Sequence, residues 1–359
     1  MSTHVAFARS ASGALAWSLS TVTRLAPRER ERRPAGVEHT ISRPHRRTTP
    51  PRISVIVPAT NGPATLDACV RALRECDSPP DEIVVVDGPV EANAARARNE
   101  GASRATGDVL LFVDADVEVL RDAVERVRAA FEADEALAAL FGSYDDTPAA
   151  PGVASGFRNL LHHHVHQSAP GRASTFWTGL GAVRRDIFFE VGGFDESIAF
   201  MEDVDLGMRI AETGGRIVLD PAIQGTHLKR WTVWSMVRTD VVARGIPWVR
   251  ILLRHRHSST ALNLGWSHRL SAITALGTVL ALALWQPFFV LGTLALLIAL
   301  NFDFYVLLVR RRGPLQAAAG VVLHTLHHLA SIVSVPIGVW LHLRDNRRAR
   351  HALRSATLS

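Results

Sequence analysis

The sequence predicts an α/β domain built on a mostly parallel sheet, followed by amphipathic and then apolar helices. Three observations carry this. Short apolar runs, Ile53–Val57, Glu82–Val86 and Val109–Val113, alternate with segments of helical spacing, and strands buried in a parallel sheet read as such near-continuous runs. Each run is followed by an amide or a carboxylate: Asn61, Asp87, and the pair Asp114 and Asp116. The apolar surplus of a chain with 47% hydrophobic residues over 359 positions gathers after residue 266, which separates a soluble part from a membrane part.

Residues 1–52 are rich in Arg, Ser, Ala and Pro without periodicity, and read as a basic, disordered arm. The net charge of +6 comes nearly all from arginine, Lys229 being the one lysine. No zinc-ligand spacing or RNA-binding aromatic motif accompanies it, so the charge suits an anionic membrane surface and excludes a nucleic-acid partner. Cys69 and Cys76 stand seven apart on a predicted helix marked by Leu66, Cys69, Val70 and Leu73, about 10 Å along its axis and too far to bridge.

In open α/β sheets ligands sit beyond the carboxyl ends of the strands. Asp114 and Asp116, spaced i, i+2 after the central run, share a face there. Paired aspartates are hard oxygen ligands for Mg²⁺ or Mn²⁺, which keep positions free for substrate phosphates. Alone, such a pair is more often a loop cap.

Taken in order, Pro58-x-x-Asn61, Val85-Val86-Asp87-Gly88, Ala97-Arg98-Asn99-x-Gly101, Gly107-Asp108, Phe112-Val-Asp-Ala-Asp116, Gly192-Gly-Phe-Asp195 and Glu202-Asp203 form a specific set. Over residues 53–230 this set resembles the family 2 glycosyltransferases of the GT-A (Rossmann-like) fold. The resemblance implies that Asp87 contacts the nucleobase, Asp114 the ribose or the metal, Asp116 the metal, and that Asp203 is the general base with Glu202 beside it. Pro58, Thr60, Asn61, Arg98 and Asn99 complete the expected nucleotide-sugar contacts. Two positions depart from the family: Gly62 stands where a glutamate commonly follows the asparagine, and ten residues separate Asp87 from Arg98 where the family has room for another helix and strand.

Residues 118–139 read as a helix with Val119, Val124, Val127 and Phe131 inward. Phe141–Asp146 is a further strand, with Asp145 and Asp146 capping the next turn. In Asn159–His166, His162 and His166 are i, i+4, but no Glu or Cys lies at zincin-like spacing, and a plain surface helix is the expectation. Trp177 and Gly179, with Gly193 and Trp231, are the acceptor candidates, the alternative being a strand that turns at a glycine. Asp203 opens a helix, where Glu202 and Asp205 also complement the dipole. Inverting transfer needs one carboxylate to take the acceptor proton, and a metal to neutralise the leaving diphosphate. His227 resembles the late metal-binding histidine of GT-A enzymes, and Lys229 and Arg230 are placed to hold the diphosphate.

Residues 231–266 carry tryptophans and arginines on amphipathic segments, the pattern of helices that lie in a membrane interface. Residues 267–345 hold three apolar stretches, 268–286, 287–309 and 315–343, read as two or three spans, before a basic tail at 346–359. Arg310–Arg312 favour the cytoplasm, so the expectation is a multi-pass protein of the inner or plasma membrane with its soluble domain cytoplasmic. The reading is a metal-dependent inverting glycosyltransferase moving a sugar from a nucleotide-sugar donor to a membrane-associated, lipid or lipid-linked acceptor. Its rivals are a nucleotidyltransferase on the same fold and a non-catalytic membrane scaffold with a degenerate nucleotide site.

Overall fold

The computed structural model describes residues 49–60, 62–88, 93–255 and 265–356. Asn61 and nearly all of the expected arm at 1–52 lie outside the described residues. Among them, one sheet runs in the order β2 (Glu82–Val86), β1 (Ile53–Pro58), β3 (Val109–Val113), β7 (Leu180–Arg184), β5 (Leu137–Tyr144), β8 (Arg216–His227) and β4 (Val117–Val119), with β6 (Gly171–Ala173) also on β8.

The α/β class is as expected, but the sheet is mixed. β2, β1 and β3 are parallel, as are β5 and β8, whereas β7 runs antiparallel to both β3 and β5, and β4 and β6 antiparallel to β8. A strand buried on both faces is apolar whichever way it runs, so the reversal at β7 leaves no mark in the sequence. The stretch read as one helix over 118–139 divides into β4, α3 (Ala123–Ala133) and the start of β5. Val124, Val127 and Phe131 face inward as expected, while Val119 belongs to a strand.

Alternation sorts the two faces. Ile53, Val55, Val57 and Leu111 pack with Cys69 and Leu73 of α1 (Leu66–Arg74) and with α3. Ile56, Leu110 and Phe112 pack with Ala97 of α2 (Ala94–Arg104), Phe188 of α5 (Arg185–Glu190) and Leu206 and Ile210 of α6 (Glu202–Glu212). α6 comes close enough that a Cβ on Gly207 would stand 2.3 Å from the Phe176 backbone nitrogen and 2.5 Å from the Thr175 carbonyl carbon. Backbone cannot swing aside as a side chain does. Gly207→Ala is therefore expected to lower the melting temperature by several degrees, read by thermal unfolding of the detergent-solubilised protein; an unchanged value would mean that α6 is free to retreat.

α4 (Val153–Gln167) is not the surface helix that its histidines suggest. Phe157, Leu160 and Leu161 enter a third cluster with Trp231, Met236 of α7 (Val233–Arg238), Phe304 and Leu308 of α11 (Phe302–Arg312), and Leu323 of α12 (Pro314–Ala356). Its polar side is satisfied by the sheet: His163 Nδ1 and His166 Nδ1 lie 2.8 and 2.9 Å from the carbonyls of Tyr144 and Gly142. Beside them β5 and β8 shift register, Phe141 facing Leu219 and Ser143 facing Gln224. The sheet domain and the carboxyl-terminal helices thus share a core.

After α7 come a π-helical turn, Thr239–Gly245, and α8 (Ile246–His255). Trp234 is 75% exposed, in keeping with an interface segment, but Ile251 packs on Val204 and Met208 of α6. α9 (Trp266–Ala283) and α10 (Pro287–Leu300) are about 27 and 21 Å long at 1.5 Å per residue. The expected span over 287–309 is broken: α10 and α11 meet at Asn301 with a bend of 82°. Among the described residues one helix, Pro314–Arg348, is long and apolar enough to cross a membrane, and the bent pair would be a second only if it counts as one span.

Candidate active site

β3 ends in Asp114, and α6 begins with Glu202 and Asp203. Arg98 of α2 joins them. Its side chain is buried, with one guanidinium nitrogen 2.7 Å from Asp114 Oδ1 and the other on Glu202 Oε1. A planar guanidinium suits this two-sided bridge, since it presents donors in fixed directions and stays charged when desolvated. The bridge draws the strand end and the helix start into one crevice. The residue before the pair, Met201, has φ of 68°, a left-handed conformation that costs a side-chain-bearing residue about 1–3 kcal/mol and gathers at functional sites.

Asp203 is held on its other side by Thr178, whose N–H and hydroxyl lie 3.3 and 3.4 Å from Oδ2, while the Val204 N–H donates to Oδ1 at 2.8 Å. Burial pushes the Asp203 carboxyl up to about 6; the neighbouring Glu202 charge adds to this and Arg98 opposes it. A carboxylate poised there has the affinity for a proton that a general base needs near neutral pH.

Asp116 faces the other way, toward β8. Register pairs Val117 with His227, and the Asp116 carbonyl accepts from the Leu228 N–H at 2.8 Å, so the carboxylate comes to 3.5 Å from His227 Nε2. Burial raises the Asp116 carboxyl, but His227 and then Lys229 outweigh it and hold it below the ordinary range. Tyr144 stacks flat on the imidazole, centroids 4.2 Å apart at 7°, and Asn159 Oδ1 lies 2.7 Å from its Nδ1.

Of the three expected metal ligands, Asp116 and His227 meet and Asp114 does not join them: it is turned to Arg98. Among the described residues no group of three His, Cys, Asp or Glu side chains is arranged to hold a metal. The pair nonetheless fits a divalent cation in its chemistry, a carboxylate oxygen and an imidazole nitrogen, with remaining positions left for phosphate and water.

Several expected contacts have other employment. Asn99 clamps the loop at Gly193, accepting from the Phe194 N–H and donating to its carbonyl, both at 2.9 Å. Arg98, expected on the donor, is committed to its two carboxylates. Trp231 is 6% exposed, with the Arg158 guanidinium and the Lys229 ammonium 5.6 and 4.6 Å from its ring, and it packs in the third cluster. Gly179 is bare because Trp177 lies over it, an added Cβ standing 2.1 Å from the indole. Gly193 takes φ of 67°. Asp205, read as a dipole charge, is buried on Arg209 and His255 at 2.8 and 3.0 Å. Asp145 caps its turn through Thr147 as expected. Pro58, Thr60 and the exposed Asp87 line the ends of β1 and β2, and Lys229 and Arg230 are exposed just past β8.

Thr178, Asn159 and Tyr144 were not singled out by the sequence. Asn159 opens the histidine run and Tyr144 precedes the Asp145-Asp146 pair, so the signal for each was a neighbour of a motif already noted.

Residues 89–191 match the family Glycosyl transferase family 2. This segment is the part of the chain that is similar to a glycosyl transferase family 2 domain. The chain is 27% identical over 169 residues to the inactive polypeptide N-acetylgalactosaminyltransferase-like protein 5 of Macaca fascicularis, covering 42% of this chain and 38% of that protein. It is 25% identical over 205 residues to the pre-mycofactocin glycosyltransferase of Mycobacterium tuberculosis, covering 49% and 42%. The chain thus spans well under two thirds of these relatives. Among solved structures, a mannosyltransferase from Pyrobaculum calidifontis in complex with GDP-Man and Mn²⁺ aligns at a TM-score of 0.45 and 19% identity, covering 80% of this chain and 88% of that one.

Proposed function

We propose that this chain is a membrane-anchored inverting glycosyltransferase that moves a sugar from a nucleotide-sugar donor to a membrane-associated acceptor, a lipid or a lipid-linked glycan. The observation that carries the reading is the Arg98 bridge, which sets the base candidate Asp203 beside the strand end where the donor is expected. Asp203 takes the proton of the acceptor hydroxyl as that oxygen attacks the anomeric carbon, and the nucleoside diphosphate departs from the opposite face. Thr178 and the helix start aim the carboxylate. Asp116 and His227 would hold Mg²⁺ or Mn²⁺, which supplies positive charge for the departing diphosphate. Lys229 and Arg230, exposed at the end of the same strand, add to it.

Membrane anchoring is supported by α12 and by the α9–α10 hairpin, each of whose arms is shorter than the ~30 Å hydrocarbon layer. Its tip exposes Trp285, Phe288 and Phe289 at 90%, 86% and 69%, a patch that water does not favour and lipid does. Arg311 pairs with Asp146, and Arg312 reaches the Pro148 carbonyl at 3.4 Å, so the basic run lies against the catalytic domain and argues for the cytoplasmic side.

The test is binding of a panel of nucleoside diphosphates to the detergent-purified full chain, with and without Mn²⁺. One nucleotide is expected to bind in a Mn²⁺-dependent manner, with affinity at least about tenfold weaker in Asp116→Asn. Failure of every nucleotide to bind would move the chain to the scaffold reading.

A further inference from the structure

His227 has two ring nitrogens, and only one can face Asp116. Its Nδ1 points to α4, where Asn159 is 1% exposed and places Oδ1 at 2.7 Å. An amide oxygen only accepts, so this contact places a proton on Nδ1; in the neutral ring it is then Nε2, on the side of Asp116, that carries the lone pair. Ser155, one turn earlier on the same face of α4, accepts the Trp231 N–H at 2.9 Å. The helix therefore holds the end of β8 at two points, the imidazole and the backbone four residues on. α4 is itself pinned through Arg158, whose guanidinium lies 2.7 Å from the buried Asp240 of the π-helical turn, which in turn lies 2.9 Å from His327 Nδ1. Stacking on Tyr144 closes the remaining freedom, rotation of the ring. Asn159 Nδ2 is buried with no hydrogen-bond partner among the described residues. A leucine would fill this space and spare that buried Nδ2 donor, but it would take the acceptor from the His227 Nδ1–H, so the reason for an amide here lies in its oxygen.

We propose that Asn159 is a positioning residue for a divalent-cation site, fixing His227 in the tautomer whose Nε2 serves as a ligand beside Asp116. The inference rests on the reading of Asp116 and His227 as cation ligands. Partners that orient a ligating histidine are worth about 10–100-fold in metal affinity.

The experiment is a Mn²⁺ titration followed by electron paramagnetic resonance on the full chain in detergent, for wild type, Asn159→Leu and Asn159→Asp. It is joined to ¹⁵N NMR of the histidine rings in the metal-free wild type. Expected are Mn²⁺ binding about 10–100-fold weaker in Asn159→Leu, recovery in Asn159→Asp, which keeps an oxygen acceptor, and a His227 ring protonated at Nδ1. Wild-type affinity in folded Asn159→Leu, or a ring protonated at Nε2, overturns the role of Asn159 while leaving the cation reading in place. Absence of Mn²⁺ binding in the wild type defeats the cation reading, and this inference with it. The ring measurement needs no variant, so it decides the matter even if Asn159→Leu does not fold.

Discussion

Asp203→Asn is expected to lower the turnover of donor sugar by about 10²–10⁴-fold, measured as release of nucleoside diphosphate, while nucleotide affinity stays near the wild-type value. Asparagine keeps the size of the side chain and one of the two oxygens, so it can accept from either Val204 or Thr178, but it has no basic lone pair to take a proton at neutral pH. The pH profile gives an independent reading. Burial and Glu202 bring the Asp203 carboxyl up to about 6. Only the ionised form is a base, so wild-type activity should fall as pH drops through about 6 and level off above it. That limb should be missing from any residual activity of the variant. A variant as active as the wild type would remove Asp203 from the chemistry and point to an acceptor that is already an anion.

Arg98→Leu should be the most destabilising change at the site. It leaves Glu202 and Asp114 close together without their shared cation, and removing one member of a buried ion network typically costs about 3–5 kcal/mol. Asp114 is 32% exposed and Glu202 10%, so water recovers part of this and a loss near 3 kcal/mol is expected, measured by chemical denaturation. Arg98 also opposes the rise of the Asp203 carboxyl. Its loss should therefore move the acid limb of the activity profile to higher pH in whatever fraction stays folded. If neither stability nor the limb moves, the bridge is an accident of packing.

The parts that the sequence made legible are local ones. β1, β2 and β3 show themselves because a strand covered on both faces must be apolar throughout, and the carboxylates show themselves because such a run cannot continue through them. The order of motifs found Arg98, Asp203 and His227. What it could not give were long-range pairings. Nothing near Asn99 says that its amide belongs to the Phe194 backbone, and nothing near His166 says that the Gly142 carbonyl awaits it. The histidine run looked like a solvated face because the groups that meet His163 and His166 are backbone carbonyls of β5, which leave no mark in the sequence. Hydropathy likewise averages across Asn301, where the Asn301 side chain donates to Ser271 and to the Leu297 carbonyl and the chain turns by 82°.

β8 reaches the whole depth of the sheet: Arg216 pairs opposite Leu137 at one end and His227 opposite Val117 at the other. Asp116 stands at the turn that leads into β4, one residue before Val117 faces His227, so the ladder sets its distance from the imidazole. On the proposed reading the nucleobase would be met by the connection between Asp87 and Arg98, which is short in this chain. The two functions are modular. Loops over the nucleobase can be lengthened, trimmed or exchanged to change donor preference with the ligand pair left intact, whereas a single-residue deletion between Gln224 and His227 would turn the imidazole to the opposite face of the sheet and silence every version of the enzyme alike.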